Sequence, residues 1–299
     1  MSLWDKLIIN AAITGMVPMK SDTPHVPITV EEIVADIARV RDAGASIVHL
    51  HARQADGTAD YLASVYREIL AGAREVAPDI ILCVSTSGRV FGGFEQRSEV
   101  LGCTDPDPEM ASLTLGSMNF PTSASVNSPE MIRALAGRMA ERAIVPEWEC
   151  FDRGMVDYSH YLVERGVLKP PFYCNLLLGS LGTLSASPAN LAAMAAGLPD
   201  GTTWAAAGIG RFQLPMNALA ITMGGHVRVG LEDNIWFDHE RTTLATNASL
   251  IERLVGIARA CGREIATPDE ARRLIGLPER PGPAEPVAPG PDRSLTAAW

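Results

Sequence analysis

The sequence predicts a (β/α)8 (TIM) barrel, because strand-like and helix-like segments alternate regularly along the chain. Eight short apolar runs are separated by stretches with helical periodicity within 299 residues. Alternating strands and helices indicate a parallel α/β fold, and a barrel of this type typically takes about 250 residues. A doubly wound sheet is the alternative, but no GxGxxG motif follows the first run to support a dinucleotide fold.

The individual elements follow from local patterns. The predicted strands are residues 7–12, 46–51, 80–86, 110–115, 144–149, 172–178, 204–209 and 227–232. The predicted helices include residues 29–43, 62–76, 129–142, 188–196, 213–223 and 243–261. The first helix has a capping-box start, Thr29-Val30-Glu31-Glu32, and Thr267-Pro268-Asp269-Glu270 predicts a further helix after the barrel.

The domain organisation is predicted as one catalytic barrel with extra C-terminal helices over residues 1–276, followed by a tail over residues 277–299. The tail is rich in Pro, Gly and Ala, so we expect it to lack a packed core. It is expected to be extended or disordered, or to lie along a neighbouring subunit.

The composition favours a soluble, cytoplasmic enzyme. The net charge of −10 argues against nucleic-acid binding, which needs clustered positive charge. No window approaches the ~18 uncharged apolar residues of a membrane span, and the first residues lack a signal-peptide pattern. The five cysteines are widely spaced and form no CxxC motif, which favours reduced thiols in a cytoplasm.

Lysine is scarce, and this bears on the chemistry. Only Lys6, Lys20 and Lys169 are lysines among the 25 basic residues. Lys6 and Lys169 precede predicted strands and Lys20 lies in a loop, whereas a Schiff-base enzyme needs a lysine buried near the reacting carbonyl. Carbon–carbon chemistry in this protein is therefore expected to use a metal rather than an imine.

A candidate metal site combines two distant segments of the chain. His49 and His51 end the second predicted strand, and because side chains alternate along a strand, both project to the same side. Glu232 ends the eighth predicted strand, next to Asp233. Two imidazoles and one carboxylate form a ligand set typical of a catalytic zinc with an open position. A pair of core or surface histidines is the alternative interpretation.

The barrel prediction brings further polar residues to the same end. Catalytic groups of (β/α)8 barrels lie at the carboxyl ends of strands. Polar candidates near the ends of the third, fourth and fifth predicted strands are Ser85, Thr86, Ser112, Thr114 and Glu147.

Several motifs resemble the β-keto acid cleavage enzymes. The segments that carry the resemblance are Ala11-Ala12-Ile13-Thr14-Gly15, His49-Leu50-His51-Ala52-Arg53, Ser85-Thr86-Ser87-Gly88, Pro108-Glu109-Met110-Ala111-Ser112, Ala207-Gly208-Ile209-Gly210-Arg211 and Val229-Gly230-Leu231-Glu232-Asp233-Asn234. The resemblance runs from about Leu7 to Leu277. It implies a zinc-dependent barrel, commonly a homotetramer, that converts a β-keto acid and acetyl-CoA into acetoacetate and a new acyl-CoA.

The resemblance also implies roles for residues at the metal. His49, His51 and Glu232 match the zinc ligands of the family. Asp233 matches the general base, and Arg228 matches the arginine paired with it. A carboxylate beside zinc and arginine is expected to have a lowered pKa and to stay ionised. Arg228 is alternatively an ion-pair partner of Glu147 or Asp233 inside the barrel, and Glu147 is the next candidate for the base.

Other matches concern the substrate. Ser85, Gly88 and Ser112 match positions that hold the keto-acid end, and Thr114 is a further candidate for substrate binding. The serine hydroxyls alternatively cap strand ends by bonding backbone groups. Val17 falls where the best-described member carries a glutamate for the substrate's amino group, so the preferred side chain is expected to be neutral. The alternative is that the positively charged Lys20 reaches the pocket and favours a substrate with an anionic side chain.

The turn Gly208-Ile209-Gly210-Arg211 is a candidate phosphate site for CoA through its backbone N–H groups, although tight turn geometry explains its glycines equally well.

Three rival functions remain open from the sequence alone. A metal-dependent hydrolase of the amidohydrolase type also uses a His-x-His strand, but places it on the first strand and adds later histidines. A metal-dependent aldolase without CoA needs the same ligands. A non-catalytic binding barrel is the third.

Overall fold

The computed structural model describes residues 5–278 and shows a closed barrel of eight parallel strands. The strands are β1 (Ile9–Ala12), β2 (Ile47–Leu50), β3 (Ile81–Val84), β4 (Met110–Thr114), β5 (Val145–Cys150), β6 (Phe172–Leu178), β7 (Thr202–Gly208) and β8 (His226–Val229). Each strand pairs with its neighbours in sequence, and β1 closes the barrel against β8 with Ile9 opposite Val227. The predicted barrel is confirmed, and the doubly wound alternative is wrong.

Helices surround the barrel and bury an apolar layer against the outer face of the strands. The helices in residues 5–278 are α1 (Val30–Ala43), α2 (Ala63–Val76), α3 (Phe94–Ser98), α4 (Pro129–Glu141), α5 (Arg153–Glu164), α6 (Pro188–Ala196), α7 (Gln213–Thr222), α8 (Asn247–Ala260) and α9 (Pro268–Ile275). The predicted capping boxes are present at Thr29 with Glu32 and at Thr267 with Glu270. No helix among the described residues is long and apolar enough to cross a membrane.

The barrel interior changes from apolar to polar along its axis. Inward-facing side chains such as Ile47, Ile81 and Tyr173 form an apolar layer near the amino ends of the strands. Two positions further along each strand, His49 follows Ile47 and Cys83 follows Ile81, because side chains of one face recur with a period of two. The polar groups therefore gather toward the carboxyl ends of the strands.

Helix α9 closes the apolar end of the barrel. Ala271, Ile275 and Leu277 pack with Ile8 and Ile47 in one buried cluster. Leu277 is only 6% exposed, so the packed region includes the first residue that was predicted to belong to the tail. The rest of that tail, from residue 279, lies outside the described residues.

Candidate active site

The two histidines lie where the barrel prediction puts them. His49 is in β2 and His51 directly follows it, and both side chains are buried. Their Nε2 atoms are 3.2 Å apart, which shows that both rings turn toward one point.

Glu232 reaches the same point from a turn rather than from a strand. The eighth strand ends at Val229, three residues earlier than predicted, because the N–H groups of Asp233 and Asn234 both donate to the Gly230 carbonyl and form a turn. Within that turn, the Glu232 carboxylate lies 3.3 Å from His51 Nε2 and 3.9 Å from His49 Nε2. A Cβ atom on Gly15 would lie 2.7 Å from Glu232 Cγ, so a larger residue would displace this ligand.

The donor set fits a divalent cation. Potential ligand atoms of His49, His51 and Glu232 all lie within 4.8 Å of one another. Glu232 Oε2 is buried without a hydrogen-bond partner among the described residues, which leaves one carboxylate oxygen available as a ligand. Imidazole nitrogen with carboxylate oxygen is a set that suits zinc.

Glu147 lies beneath this site and holds His49. Its Oε2 atom is 2.7 Å from His49 Nδ1, and Asn10 donates to its other oxygen. Burial alone would raise the pKa of Glu147, but the charges of His49 and Arg228 lower it to about 2. An ionised carboxylate on Nδ1 fixes the ring so that Nε2 points to the candidate metal. Glu147 does not line the cavity described below, so it is badly placed for the role of base.

A second cluster of possible ligands, formed by His49, Cys83 and Glu147, lies deeper in the barrel. Burial and the neighbouring Glu147 raise the pKa of the Cys83 thiol well above its usual value. Since a thiol binds metal as the thiolate, this cluster is a poor metal site. The set formed by His49, His51 and Glu232 is therefore the better candidate for the metal site.

Arg228 is the cation around which the acids are arranged. Its side chain is 1% exposed and donates to Glu232 at 2.7 Å, to Asp233 at 3.1 Å and to Glu149 at 3.1 Å. Glu147 is 3.9 Å away. Burial would lower the pKa of this guanidinium, but the surrounding carboxylates hold it well above its usual value. Four carboxylates facing one guanidinium leave an excess of negative charge, which a divalent cation would offset.

Asp233 is a buried carboxylate beside Arg228. Among the protein's own groups, burial raises the pKa of Asp233 to about 6, more than the nearby Arg228 lowers it. The expectation of a lowered pKa beside zinc and arginine stays a prediction. A carboxylate whose pKa lies closer to neutrality is a stronger base, and this suits proton abstraction.

A cavity of about 420 Å³ opens above these groups. Its wall includes the predicted residues Val17, His51, Ser85, Thr114, Arg228, Glu232 and Asp233. The predicted residues His49, Glu147, Gly88 and Ser112 are not part of this wall. The volume is appropriate for a small-molecule substrate.

The predicted hydroxyl and glycine positions divide into two groups. Ser85 lines the cavity, and its Oγ also accepts the Ser87 N–H at 3.2 Å. Ser112 lies behind the wall, where its Oγ accepts the Thr86 N–H at 3.1 Å. Both bonds match the strand-capping alternative. Gly88 packs against Arg97, whose Nη1 would be 2.6 Å from a Cβ at that position.

Thr114 lines the cavity and donates to Glu149 Oε2 at 2.7 Å. Lys20 is not part of the cavity wall, and its ammonium group lies 2.8 Å from Glu32. The backbone phosphate site also loses support, because the N–H of Gly210 donates to the Asp233 carbonyl.

Sequence reasoning missed three residues that shape the site. Glu149 lines the cavity and shares Arg228, and its inward position follows from its spacing of two from Glu147. Arg53 donates to the carbonyls of Gly15 and Pro18, and so fixes the loop that carries Val17. Arg89 lines the cavity, and its guanidinium lies 3.9 Å from the centre of the Phe120 ring. No sequence pattern marks these last two contacts.

Known proteins resemble this chain over nearly all of its described length. It is 43% identical over 276 residues to 3-keto-5-aminohexanoate cleavage enzyme of Fusobacterium nucleatum, with 92% of this chain and 99% of that protein covered. It is 39% identical over 275 residues to 3-oxoadipate:acetyl-CoA acetyltransferase of Cupriavidus necator, with 91% and 95% covered. The apo structure of ObcA has the same fold, with a TM-score of 0.78 at 21% identity over 86% of this chain and 66% of that chain. Residues 6–277 match the sequence pattern of the beta-keto acid cleavage enzymes, and with these relatives and this barrel the chain belongs to that enzyme family.

Proposed function

We propose that this enzyme condenses a β-keto acid with acetyl-CoA and cleaves the product to acetoacetate and a new acyl-CoA. The observation that carries the proposal is the position of Asp233 on the wall of the same cavity as His51 and Glu232. A base and a metal site that face one space allow a carbon acid to be bound and deprotonated in place.

His49, His51 and Glu232 would hold a zinc ion. When bound there, zinc supplies Lewis-acid polarisation of the substrate's keto oxygen and so makes the neighbouring C–H group more acidic. The excess of buried carboxylates around Arg228 supports a cation at this position. Glu147 would keep the His49 ring oriented toward the ion.

Asp233 would remove the proton from the carbon between the keto and carboxyl groups. Arg228 donates to Asp233 Oδ2, which leaves Oδ1 as the oxygen available for the proton. Ser85 and Thr114 would contact the polar keto-acid end of the substrate, because both line the same cavity as Asp233. The deprotonated carbon would attack the acetyl carbonyl of acetyl-CoA and displace the CoA thiolate. The thiolate would add to the substrate's keto carbon, and a retro-Claisen cleavage of the bond between that carbon and the acetylated carbon would give the new acyl-CoA and the acetoacetate carbanion. This carbanion would take the proton back from Asp233.

The substrate's side chain is proposed to be neutral. Val17 lines the cavity and offers no countercharge for an ammonium group, and the nearby Arg89 adds a positive charge to the same wall. An ammonium group buried without a partner costs several kcal/mol, although Val17 is 50% exposed and this reduces the penalty. Arg89 supports a second candidate, a β-keto acid whose side chain ends in a carboxylate.

An assay of thioester consumption tests the proposed reaction. Purified protein loaded with zinc is given acetyl-CoA and, in turn, 3-oxohexanoate, 3-oxoadipate and 5-amino-3-oxohexanoate. We expect acetoacetate and a new acyl-CoA with the first compound, and little product with the third. Turnover of a β-keto acid without thioester consumption would instead support the aldolase or hydrolase alternatives.

A further inference from the structure

Two arginines stand at the rim of the cavity, away from the acids on its floor. Arg211 follows β7 and Arg241 lies in the loop after β8, and both are exposed residues that line the cavity. A Cβ atom on Gly210 would lie 3.7 Å from Arg241 Nη2, so this guanidinium lies close to the segment that carries Arg211.

The loop that carries Arg241 is held in a fixed shape. The Asp238 carboxylate accepts the backbone N–H groups of Thr242 and Thr243. Backbone pairing of Phe237 with Thr243 and of Trp236 with Leu244 closes the base of the loop. Hydrogen bonds from those N–H groups lower the pKa of Asp238 to about 2, so the carboxylate is ionised at neutral pH and keeps accepting them. Arg241 is therefore presented on an ordered turn.

The acids of the cavity lie on its floor. Glu149, Glu232 and Asp233 surround Arg228 there, whereas Arg211 and Arg241 form no ion pair with any acid in the described part of the chain. In a protein of net charge −10, two unpaired guanidinium groups on one rim make a local site for anions. The acidic floor would repel phosphate groups, so a phosphorylated ligand is favoured with its phosphates at the rim.

An apolar wall connects the rim with the floor. Leu177, Phe212 and Leu181 line the same cavity as these arginines, and they range from the buried Leu177 to Leu181, which is 72% exposed. Such an apolar wall suits the uncharged pantetheine arm that joins the thioester of an acyl-CoA to its phosphate groups. The backbone N–H of Gly210 already bonds to the Asp233 carbonyl, so phosphate contacts here would come from the side chains.

We propose that Arg211 and Arg241 bind the phosphate groups of acetyl-CoA, while its acetyl group enters the cavity toward Asp233. This inference rests on the proposed function for its choice of ligand. Guanidinium groups suit phosphate because they offer several N–H donors in one plane and keep their charge at all relevant pH values.

Binding of CoA itself tests the inference without turnover. Isothermal titration of the zinc-loaded enzyme with CoA is compared between wild type, the double variant Arg211→Gln/Arg241→Gln and the control Arg259→Gln. Arg259 is an exposed arginine in the last turn of α8, and it is not part of the cavity wall. We expect Kd to rise roughly 10–100-fold in the double variant, and to stay unchanged in the control. Added salt should weaken CoA binding to wild type more than to the double variant.

Kinetics with a shortened thioester separates phosphate binding from other roles. In the double variant, kcat/KM for acetyl-CoA should fall roughly tenfold or more relative to kcat/KM for S-acetylpantetheine, which lacks the nucleotide. Equal losses with both thioesters, an unchanged Kd for CoA, or an effect confined to the KM of the β-keto acid would overturn the inference. If CoA binding depends on the arginines but no β-keto acid is cleaved, the proposed function fails while the rim site stands.

Discussion

Glu147 Oε2 lies 2.7 Å from His49 Nδ1, and both side chains are fully buried beneath the catalytic cavity. This contact leaves Nε2 as the nitrogen of His49 that faces the candidate metal site. Glu147 is not part of the cavity wall, so we propose that it positions His49 instead of acting as the base.

Replacing Glu147 by Gln tests that positioning role. Gln keeps a hydrogen-bond acceptor but loses the charge that strengthens His49 as a ligand, so zinc affinity should fall about 10–100-fold. Zinc affinity is measured by competition with a chelator, and turnover is measured across a zinc titration. We expect turnover to recover at saturating zinc. Turnover that stays lost when zinc is fully bound would indicate that Glu147 acts in proton transfer.

Replacing His51 by Ala should remove zinc and activity together. The side chain is buried at the cavity floor rather than in the apolar layers of the barrel, so the fold should survive. Metal content is measured after gel filtration, and folding is measured by circular dichroism. The matched control is His25→Ala, at an exposed histidine that belongs neither to the ligand set nor to the cavity wall. Full zinc content in the His51 variant would contradict the ligand assignment.

Replacing Asp233 by Asn should lower kcat by roughly 10²–10⁴-fold while zinc stays bound. Asn has nearly the same shape and still accepts a hydrogen bond from Arg228, but it cannot take up the substrate proton. The measurement is steady-state turnover with acetyl-CoA in excess, alongside zinc analysis. Near-normal turnover would assign the base to another residue, and Glu149 on the same wall would be examined next.

Replacing Val17 by Glu should shift selectivity toward an amino substrate. The new carboxylate would face the cavity and pair with the ammonium group of 5-amino-3-oxohexanoate. The measurement is the ratio of kcat/KM for that substrate to kcat/KM for 3-oxohexanoate, which should rise at least tenfold. Val17→Gln is the control for size without charge. A wild-type enzyme that already prefers the amino substrate would contradict the assignment of Val17.

Replacing His226 by Asn should reduce the loss of stability in mild acid. Burial, and then the charge of Arg263, lower the pKa of His226 to about 3, while Nδ1 accepts the Ile8 N–H at 3.0 Å. The unfolded chain takes up this proton below about pH 6.5, whereas the folded chain resists until about pH 3. Stability from this group is therefore complete above pH 6.5 and declines as the pH falls, by up to ~1.4 kcal/mol per pH unit.

Urea unfolding at pH 7.5 and pH 5 measures this effect. Asn Oδ1 occupies nearly the place of Nδ1 and still accepts the Ile8 N–H, but it does not titrate. We expect a smaller difference in unfolding free energy between the two pH values for the variant than for wild type. His25→Asn removes an exposed histidine and serves as the control. Identical pH dependence in wild type and the His226 variant would show that other groups cause the acid loss.

The sequence by itself determined the barrel and the end of it at which the candidate metal ligands lie. Eight apolar runs alternating with helical segments leave few ways to bury both faces of a parallel sheet. The spacing of His49 and His51 placed both on one face, because the period of a strand is two. The capping boxes at Thr29 and Thr267 were also evident, since their hydrogen bonds join residues three apart in sequence.

Tertiary structure decided how each polar group is used. Glu147 and Glu149 are equally inward by pattern, but Glu147 binds His49 below the floor while Glu149 faces the cavity. Lys20 forms an ion pair with Glu32, and the hydroxyl oxygen of Ser112 accepts a hydrogen bond from a backbone N–H group. These outcomes depend on contacts between residues far apart in the chain, which local periodicity does not encode.

The pKa of Asp233 illustrates the physical reason most clearly. The sequence suggested a lowered pKa for a carboxylate beside zinc and Arg228, whereas among the protein's own groups burial is the largest influence and raises the pKa of Asp233 to about 6. Burial depends on the packing of segments far apart in the chain, which the residues next to Asp233 in sequence do not reveal. The sequence therefore indicated the candidate ligands His49, His51 and Glu232 and the candidate base Asp233, and the packing around them decided which other groups contact them.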